Sequence, residues 1–555
     1  MTTPTELTGR ANHLKASPAD EMSWRPLQRS TRVMVALALL ASLYYLVFLL
    51  NPHYRGDTWL WLVVLAAEGL TVFQALGTWW TILAHSDEPP VPGVYYWRRL
   101  LLDGVLAPTV DVFITVAGEP IEIVKLTVRA AQDMQLQHQV WVLDDGDSDA
   151  LRDHCTEVGA GYLRREGRAH AKAGNVNAGF ARTDGEFVLI LDADFVPSPD
   201  FLVRALPYMH DLQVAFVQTP QTFPSAQGLV AEGAAEAQRI FYELVMPGKN
   251  HFNAVFCVGT NVIFRRKALE QIGGMYTASN SEDIWTSLEL HKRGWRSVFV
   301  PETLARGLAP DNLLSYFKQQ FRWSYGGFEV LLRGKLFGRS RLTLDQRFQY
   351  LLTGTNYLLS LCALTFMLLP AAYLLGGWSP IQGGVHVWLT HYVPFYVLLL
   401  LVTFLQVGGF KPAAIITSIA AAPVHFRALV MAILKRKTGW TVTNAHSSGR
   451  LPGIELVLPH VAFVLINLTA IAVGLTVVND PPATYLSIAW ACLHLLILGR
   501  VILEALRGPR QERSTVARRT AAIRALLARP WPSRAQLTAE QPVSVPVVAL
   551  ADSTD

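Results

Sequence analysis

Residues 187–194 read Phe-Val-Leu-Ile-Leu-Asp-Ala-Asp, five apolar residues closed by two carboxylates. A short continuous apolar run ended by turn-forming residues is what a strand covered on both faces requires. The pattern recurs upstream. Val110–Val116 (VDVFITV) runs into Ala117-Gly118-Glu119-Pro120, and Val140–Leu143 (VWVL) runs into Asp144-Asp145-Gly146. Helical patterns lie between the three, so strand and helix alternate and an α/β domain with a mainly parallel sheet is expected. In such sheets ligands sit beyond the carboxyl ends of the strands. All three acidic clusters fall there. Backbone preference explains one acidic turn; three in order, each ending a buried strand, point to a site.

The residue types suit a diphosphate ligand. Carboxylates face phosphate only with a cation between them, and a hard divalent ion prefers oxygen ligands. Asp194, with Asp192 beside it, is the expected metal position, for Mg²⁺ or Mn²⁺. Lys172, in His-Ala-Lys-Ala-Gly-Asn-Val-Asn (170–177), can offset phosphate charge as a point cation. Ser281-Glu282-Asp283 precedes Ile284–Arg293 (IWTSLELHKR). Helix capping alone accounts for those three residues; a catalytic reading makes Asp283 a general base. Gln319-Gln-Phe-Arg322-Trp323 lies on an amphipathic stretch, Leu313–Leu332, that also reads as an interfacial helix with aromatic anchors.

The rest of the 555 residues is unlike a soluble protein. Charged residues are 16%, hydrophobic residues 51%, and the mean hydropathy is +0.26. That balance excludes a disordered or nucleic-acid-coating chain. Cys155, Cys257, Cys362 and Cys492 are scattered without metal spacing. Six apolar runs are long enough to cross a bilayer: Val33–Leu50, Thr58–Ala84, Phe348–Leu375, Val387–Phe410, Leu456–Val478 and Tyr485–Leu503. The first reads as an anchor and not as a cleaved signal, since a second span follows at once. Glu68 is the one charge in the second span, a functional candidate by default and equally a bundle-facing structural group. Ala413–Leu434 is also long enough to span but holds Pro423, His425 and Arg427, and is expected to be interfacial or re-entrant.

Loops 51–57, 376–386 and 479–484 carry only Arg55 as a basic residue, while the other side carries the insert, Lys411–Arg450 and an Arg-rich tail. This asymmetry puts the insert and both termini in the cytoplasm of a multi-pass protein of the cell membrane. The expected organisation is a disordered N-terminus over 1–23, two spans over 24–84, and the catalytic insert with its interfacial helix over 85–346. Four spans, the interfacial segment and a loop occupy 347–506, followed by a basic tail over 507–555 whose last part, 536–555, reads as disordered. Residues 507–534 hold eight Arg against one Glu, and 509–529 within them read either as a basic amphipathic helix on anionic lipid or as a solvated charge run.

The ordered set Asp144-Asp145-Gly146, Lys172-Ala-Gly-Asn175, Asp192-Ala-Asp194, Ser281-Glu-Asp283 and Gln319-x-x-Arg322-Trp323 resembles the processive family 2 glycosyltransferases, and among them the catalytic subunits of bacterial cellulose synthase. The resemblance runs through Val217-Gln-Thr-Pro220, Gly259-Thr-Asn-Val-Ile-Phe-Arg-Arg266 and Gly307-Leu-Ala-Pro310, closely over residues 105–335 and more loosely in the membrane layout. It implies a GT-A fold inserted between transmembrane helices. It also implies that Asp144 and Asp145 hold uridine, that Lys172 meets the diphosphate, and that Asp192 and Asp194 hold the donor and its metal. Of the family's Tyr-Asn-Glu only Glu119 carries over, on the donor side. Asp283 would take the acceptor's proton, Gln319 and Arg322 would flank the leaving diphosphate, and Trp323 would stack under the acceptor sugar.

The implied activity is β-glycan synthesis with inversion, β-1,4-glucan from UDP-glucose leading. A chitin- or hyaluronan-like product from UDP-N-acetylglucosamine, a non-processive transfer onto a lipid acceptor, and a transporter with a degenerate nucleotide domain are the alternatives. The implied partners are a UDP-sugar donor, a growing polysaccharide acceptor, membrane lipid and an accessory subunit on the outer face, with no nucleic acid. The family's gating motif, Phe-x-Val-Thr-x-Lys, corresponds to Trp440-Thr-Val442-Thr443-Asn-Ala445 in the loop 437–446, with Ala in place of the Lys. No Arg-x-x-x-Arg follows Arg500 and residues 507–555 are too few for a PilZ barrel, so direct cyclic di-GMP binding is not expected.

Overall fold

The computed structural model describes residues 27–85, 91, 93–407, 409, 411–436, 455–477, 480–511 and 515–531. Nine strands are present among them: β1 Val110–Val116, β2 Gln139–Asp144, β3 Gly161–Arg164, β4 Phe187–Asp192, β5 Phe195–Pro197, β6 Val214–Gln218, β7 Val262–Arg265, β8 Arg296–Phe299 and β9 Ala305–Gly307. Seven form one sheet in the order β3-β2-β1-β4-β7-β6-β8, and β5 pairs with β9 in a second, two-stranded sheet. Only β7 runs against its neighbours β4 and β6 in the large sheet. The expected α/β domain is therefore a GT-A-like mixed sheet, parallel on the side that carries the acidic turns.

Alternation across the pleat builds the two cores. Val112, Ile114 and Val116 of β1 join Leu189 and Leu191 of β4 beneath Val124 and Val128 of the helix Ile121–Gln132. Phe113, Val188 and Ile190 face the other way, onto Ala173 and Val176 of the helix Ala171–Phe180. Register aligns the acidic ends: Val116 pairs with Asp144 and Thr115 with Asp192. A shift of one residue would turn these carboxylates into the core.

Six helices are long and apolar enough to cross a membrane: Arg29–Leu50, Thr58–Leu83, Leu344–Gly376, Gly384–Thr403, Glu455–Thr476 and Pro481–Arg507. They flank the domain, two before it and four after, as expected for a multi-pass membrane protein. Glu68 faces the bundle, where it accepts hydrogen bonds from the Tyr45 hydroxyl (2.8 Å) and the Tyr396 hydroxyl (2.7 Å). Two hydroxyls satisfy a carboxylate that lipid could not. The ambiguous stretch forms two helices, Pro412–Ala420 and Ala422–Ile433, bent by 41°, with Pro423 tolerated in the first turn of the second. This bent pair lies along the helix Leu313–Arg333, where Tyr325 and Phe328 bury Ala428 and Ala432.

The basic tail departs from both of its expected forms. Its helix Thr515–Ala528 packs on the catalytic domain, burying Ile523 and Leu526 against Ile123, Val196 and Leu308. Two apolar residues spaced by three positions lie on one helical face, and the domain, not lipid or water, takes that face. The expected disordered termini (1–23, 536–555) and the loop 437–446 with Trp440, Val442 and Thr443 lie outside the described residues.

Candidate active site

The carboxyl ends of β1 and β4 open onto one pocket, closed by the start of the helix Glu282–Lys292 and the middle of the helix Leu313–Arg333. It is lined by Glu119, Asp145, Lys172, Asp192, Asp194, Asp283, Gln319, Arg322 and Trp323, together with Phe195, Phe223, Gly259 and Leu308. Five sequence motifs thus converge on one cleft.

Asp144 is the exception. Its carboxylate accepts from the Gly146 amide (2.6 Å), the Ser148 amide (2.9 Å) and the Tyr162 hydroxyl (2.8 Å). Asp144 is 1% exposed and does not line the pocket. It shapes the Asp-Asp-Gly turn, at a position where the resemblance implies a contact with the nucleotide. Asp145 does face the pocket, gripped through both oxygens by Arg165 at 2.7 and 2.6 Å. Nothing local in the sequence marks Arg165, because its partner lies across the β2–β3 edge.

Lys172 sits in the first turn of its helix, after a tight turn in which His170 adopts a φ of 61°. Its ammonium pairs with Asp192 and donates to the Gly259 carbonyl at 2.8 Å. Desolvation is the largest single influence and opposes the charge, but Asp192, through charge and hydrogen bond, and Glu282 together outweigh it and raise the Lys172 pKa, keeping it cationic. Asp192 also accepts from the Thr115 hydroxyl at 3.3 Å. Asp194 lies beyond the strand end, where burial pushes its carboxyl up to about 6 against the opposing pull of Arg519, whose guanidinium is 3.4 Å away. Glu119 is pushed up to about 7, chiefly by desolvation, and accepts from the Ala117 amide at 2.6 Å.

Among the described residues no three His, Cys, Asp or Glu are placed to hold a metal ion by themselves. The donor set nonetheless fits Mg²⁺ or Mn²⁺: Asp192 and Asp194 supply hard oxygens on one wall. Small hard divalent ions are commonly held by one or two carboxylates plus the substrate's phosphates.

Ser281 occupies the N-cap position but makes no capping bond. Its hydroxyl donates to the Arg322 carbonyl at 3.1 Å instead, so capping does not account for the Ser-Glu-Asp cluster. Asp283 accepts from the Ile284 amide at 2.8 Å. Burial raises the pKa of both Asp283 and its neighbour Glu282. Gly259, at φ 89°, borders them: a Cβ there would lie 3.5 Å from Asp283 Oδ2. The Gln319 Oε1 is buried without a hydrogen-bond partner among the described residues, as an acceptor waiting for a ligand donor would be. Gln218 of the Val-Gln-Thr-Pro segment is a brace, accepting from the Val258 amide (3.0 Å) and donating to the Thr260 carbonyl (2.8 Å).

Residues 187–407 match the family model described as Glycosyl transferase family group 2. Cellulose synthase 1 of Komagataeibacter xylinus is 32% identical over 384 residues, 67% of this chain and 24% of that protein. The UDP-forming cellulose synthase catalytic subunit of Xanthomonas axonopodis pv. citri is 36% identical over 290 residues, 50% of this chain and 38% of that one. The chain thus spans less than half the length of the curated relatives it matches. A mannosyltransferase from Pyrobaculum calidifontis, solved in complex with GDP-Man and Mn²⁺, is similar at 17% identity and a TM-score of 0.44, over 67% of this chain and 100% of that one. The chain thus carries a family 2 glycosyltransferase match over residues 187–407 and is homologous to bacterial cellulose synthase catalytic subunits.

Proposed function

We propose that this chain is a processive, inverting glycosyltransferase that builds a β-linked polysaccharide, β-1,4-glucan from UDP-glucose, and passes it across the membrane between the helices that follow the domain. The observation that carries the reading is the convergence of Asp145, Lys172, Asp192, Asp194, Asp283, Gln319, Arg322 and Trp323 on one pocket. Identity to cellulose synthases supports glucose as the sugar. The scarcity of Lys and Arg on one side of the spans supports a cytoplasmic catalytic domain.

In this reading Asp145 holds the nucleoside and Glu119 the donor side of the cleft. The acceptor hydroxyl attacks the anomeric carbon, its proton passes to Asp283, and the bond from that carbon to the diphosphate oxygen breaks with its electron pair leaving on UDP. One displacement turns an α-linked donor into a β-linkage. A hydroxyl is a poor nucleophile, and a positioned base contributes about 10²–10⁴-fold in rate. Lys172 and Arg322 meet the charge that grows on the diphosphate. The indole of Trp323 offers a flat apolar face to the C–H side of the terminal sugar. Mg²⁺ or Mn²⁺ on Asp192 and Asp194 would supply Lewis-acid charge to the leaving group.

The test is UDP release by the detergent-purified chain with Mg²⁺ or Mn²⁺ across a panel of UDP-sugars, with Asp283→Asn as the inactive control. Release with UDP-glucose alone, giving a product cut by β-1,4-glucanase, is expected. Release with UDP-N-acetylglucosamine instead would replace the sugar and keep the enzyme class. Failure to bind UDP at all would overturn the reading.

A further inference from the structure

The two carboxylates of the Asp-x-Asp turn are each paired with a cation, one from within the catalytic domain and one from the helix that follows the last span. Lys172 takes Asp192. Arg519, from the helix Thr515–Ala528, takes Asp194 Oδ2 at 3.4 Å, with the two side chains only 10% and 17% exposed. The helix is anchored on the domain. Ile523 and Leu526 are buried against Val196 and Leu308, the first two residues beyond Asp194 and the second itself a wall of the pocket. Arg306 of β9, 3% exposed, donates to the carbonyls of Arg529 (3.2 Å) and Pro530 (3.4 Å) and lies 3.7 Å over the Trp531 ring. These contacts hold the chain just beyond the helix end at Ala528, where a buried cation also complements the helix dipole. The β5–β9 sheet that carries Val196 and Arg306 therefore also seats the helix that delivers Arg519.

We infer that Arg519 is a positioning residue of the donor site, holding the Asp194 carboxylate in place for a divalent metal and a nucleotide-diphosphate. The inference rests on the proposed glycosyltransfer and adds a residue to it from outside the matched region 187–407. A ligating carboxylate is oriented by hydrogen bonds from groups behind it, and loss of such a group costs about 10–100-fold in metal affinity. Charge points the same way. Two carboxylates and the two phosphates of a nucleotide-sugar exceed the charge of one divalent ion and Lys172 by a single unit, which is the charge Arg519 carries.

The experiment compares full-length wild type, Arg519→Ala, Arg519→Lys and the exposed-site control Arg524→Ala in detergent. Mn²⁺ affinity in the presence of UDP is read by the electron paramagnetic resonance of free Mn²⁺, beside UDP release. Arg519→Ala should weaken Mn²⁺ binding about 10–100-fold and raise the Mn²⁺ needed for half-maximal release by a similar factor. Arg519→Lys should recover part of both, and Arg524→Ala should match wild type. Tighter Mn²⁺ binding and faster release in Arg519→Ala would overturn the inference in favour of an inhibitory contact, and unchanged binding would reduce the helix to packing. Wild type that binds neither Mn²⁺ nor UDP would remove the proposed function and this inference with it, whereas wild-type binding with an indifferent Arg519→Ala removes the inference alone.

Discussion

The Ser281 hydroxyl donates to the main-chain carbonyl of Arg322 at 3.1 Å, tying the loop that presents Asp283 to the helix that presents Gln319, Arg322 and Trp323. Gly326, one turn further along that helix, makes the contact geometrically feasible, because a Cβ there would overlap the Ser281 side chain. Gly326→Ala should lower kcat and stability together, and adding Ser281→Gly, which removes both the hydroxyl and the Cβ that would clash, should restore part of both. Neighbouring residues sharing a contact couple by about 0.5–3 kcal/mol. Strict additivity in a double-mutant cycle on UDP release and thermal unfolding would refute the coupling.

Asp283→Asn should cut kcat by about 10²–10⁴-fold while leaving UDP affinity nearly unchanged. Burial raises the Asp283 pKa above the ordinary aspartate range. Because a base works only when deprotonated, activity is lost as pH falls through this raised pKa. The acidic limb of kcat therefore lies above that of a solvated aspartate, a position that a pH–rate profile reads directly.

Arg165 holds Asp145 through two parallel hydrogen bonds. An ammonium cannot reproduce this fork, so Arg165→Lys should weaken UDP binding by about tenfold, within the range for a charged hydrogen bond, and leave kcat at saturating donor within a few-fold. Isothermal titration with UDP checks it. A wild-type dissociation constant in the Lys variant would show that Asp145 needs no such grip.

Lys249 is 2% exposed and donates to Gln349 Oε1 (3.1 Å) and the Thr353 hydroxyl (3.2 Å), with burial pushing its pKa down to about 7. The unfolded chain binds this proton up to the ordinary lysine range while the folded chain gives it up near neutrality, so Lys249 makes stability rise with pH between the two. Wild type should gain melting temperature relative to Lys249→Met as pH goes from 7 to 9.5. A difference that stays constant across that window would rule the titration out.

Glu68 accepts from Tyr45 and Tyr396 inside the span bundle. Glu68→Gln retains a side-chain oxygen and should be mildly destabilising. Glu68→Leu strands two hydroxyls, each costing about 1–3 kcal/mol when unsatisfied. Thermal unfolding in detergent should rank wild type, Gln and Leu in that order, and equal stability of the Gln and Leu variants would mean that the hydroxyls find other partners.

Local pattern determined much of this protein. Apolar runs ended by carboxylates define β1, β2 and β4 and put Asp145, Asp192 and Asp194 at one edge of the sheet, since a strand's period and its terminus are properties of consecutive residues. The six long apolar helices follow from length and composition in the same way. What a side chain meets at long range was decided by the tertiary structure. Asp144 and Asp145 are adjacent and chemically identical, yet one binds its own turn and the other Arg165, because successive strand-end residues point to opposite sides. Ser281 reads as a cap and is a tether, because a hydrogen bond to the packed helix replaces the local one. Arg519 is one of eight arginines in a basic tail, and only the docking of Ile523 and Leu526 brings it to Asp194, 325 positions away. Burial of two apolar side chains set that pairing, and no periodicity in the sequence encodes which distant surface they bury against.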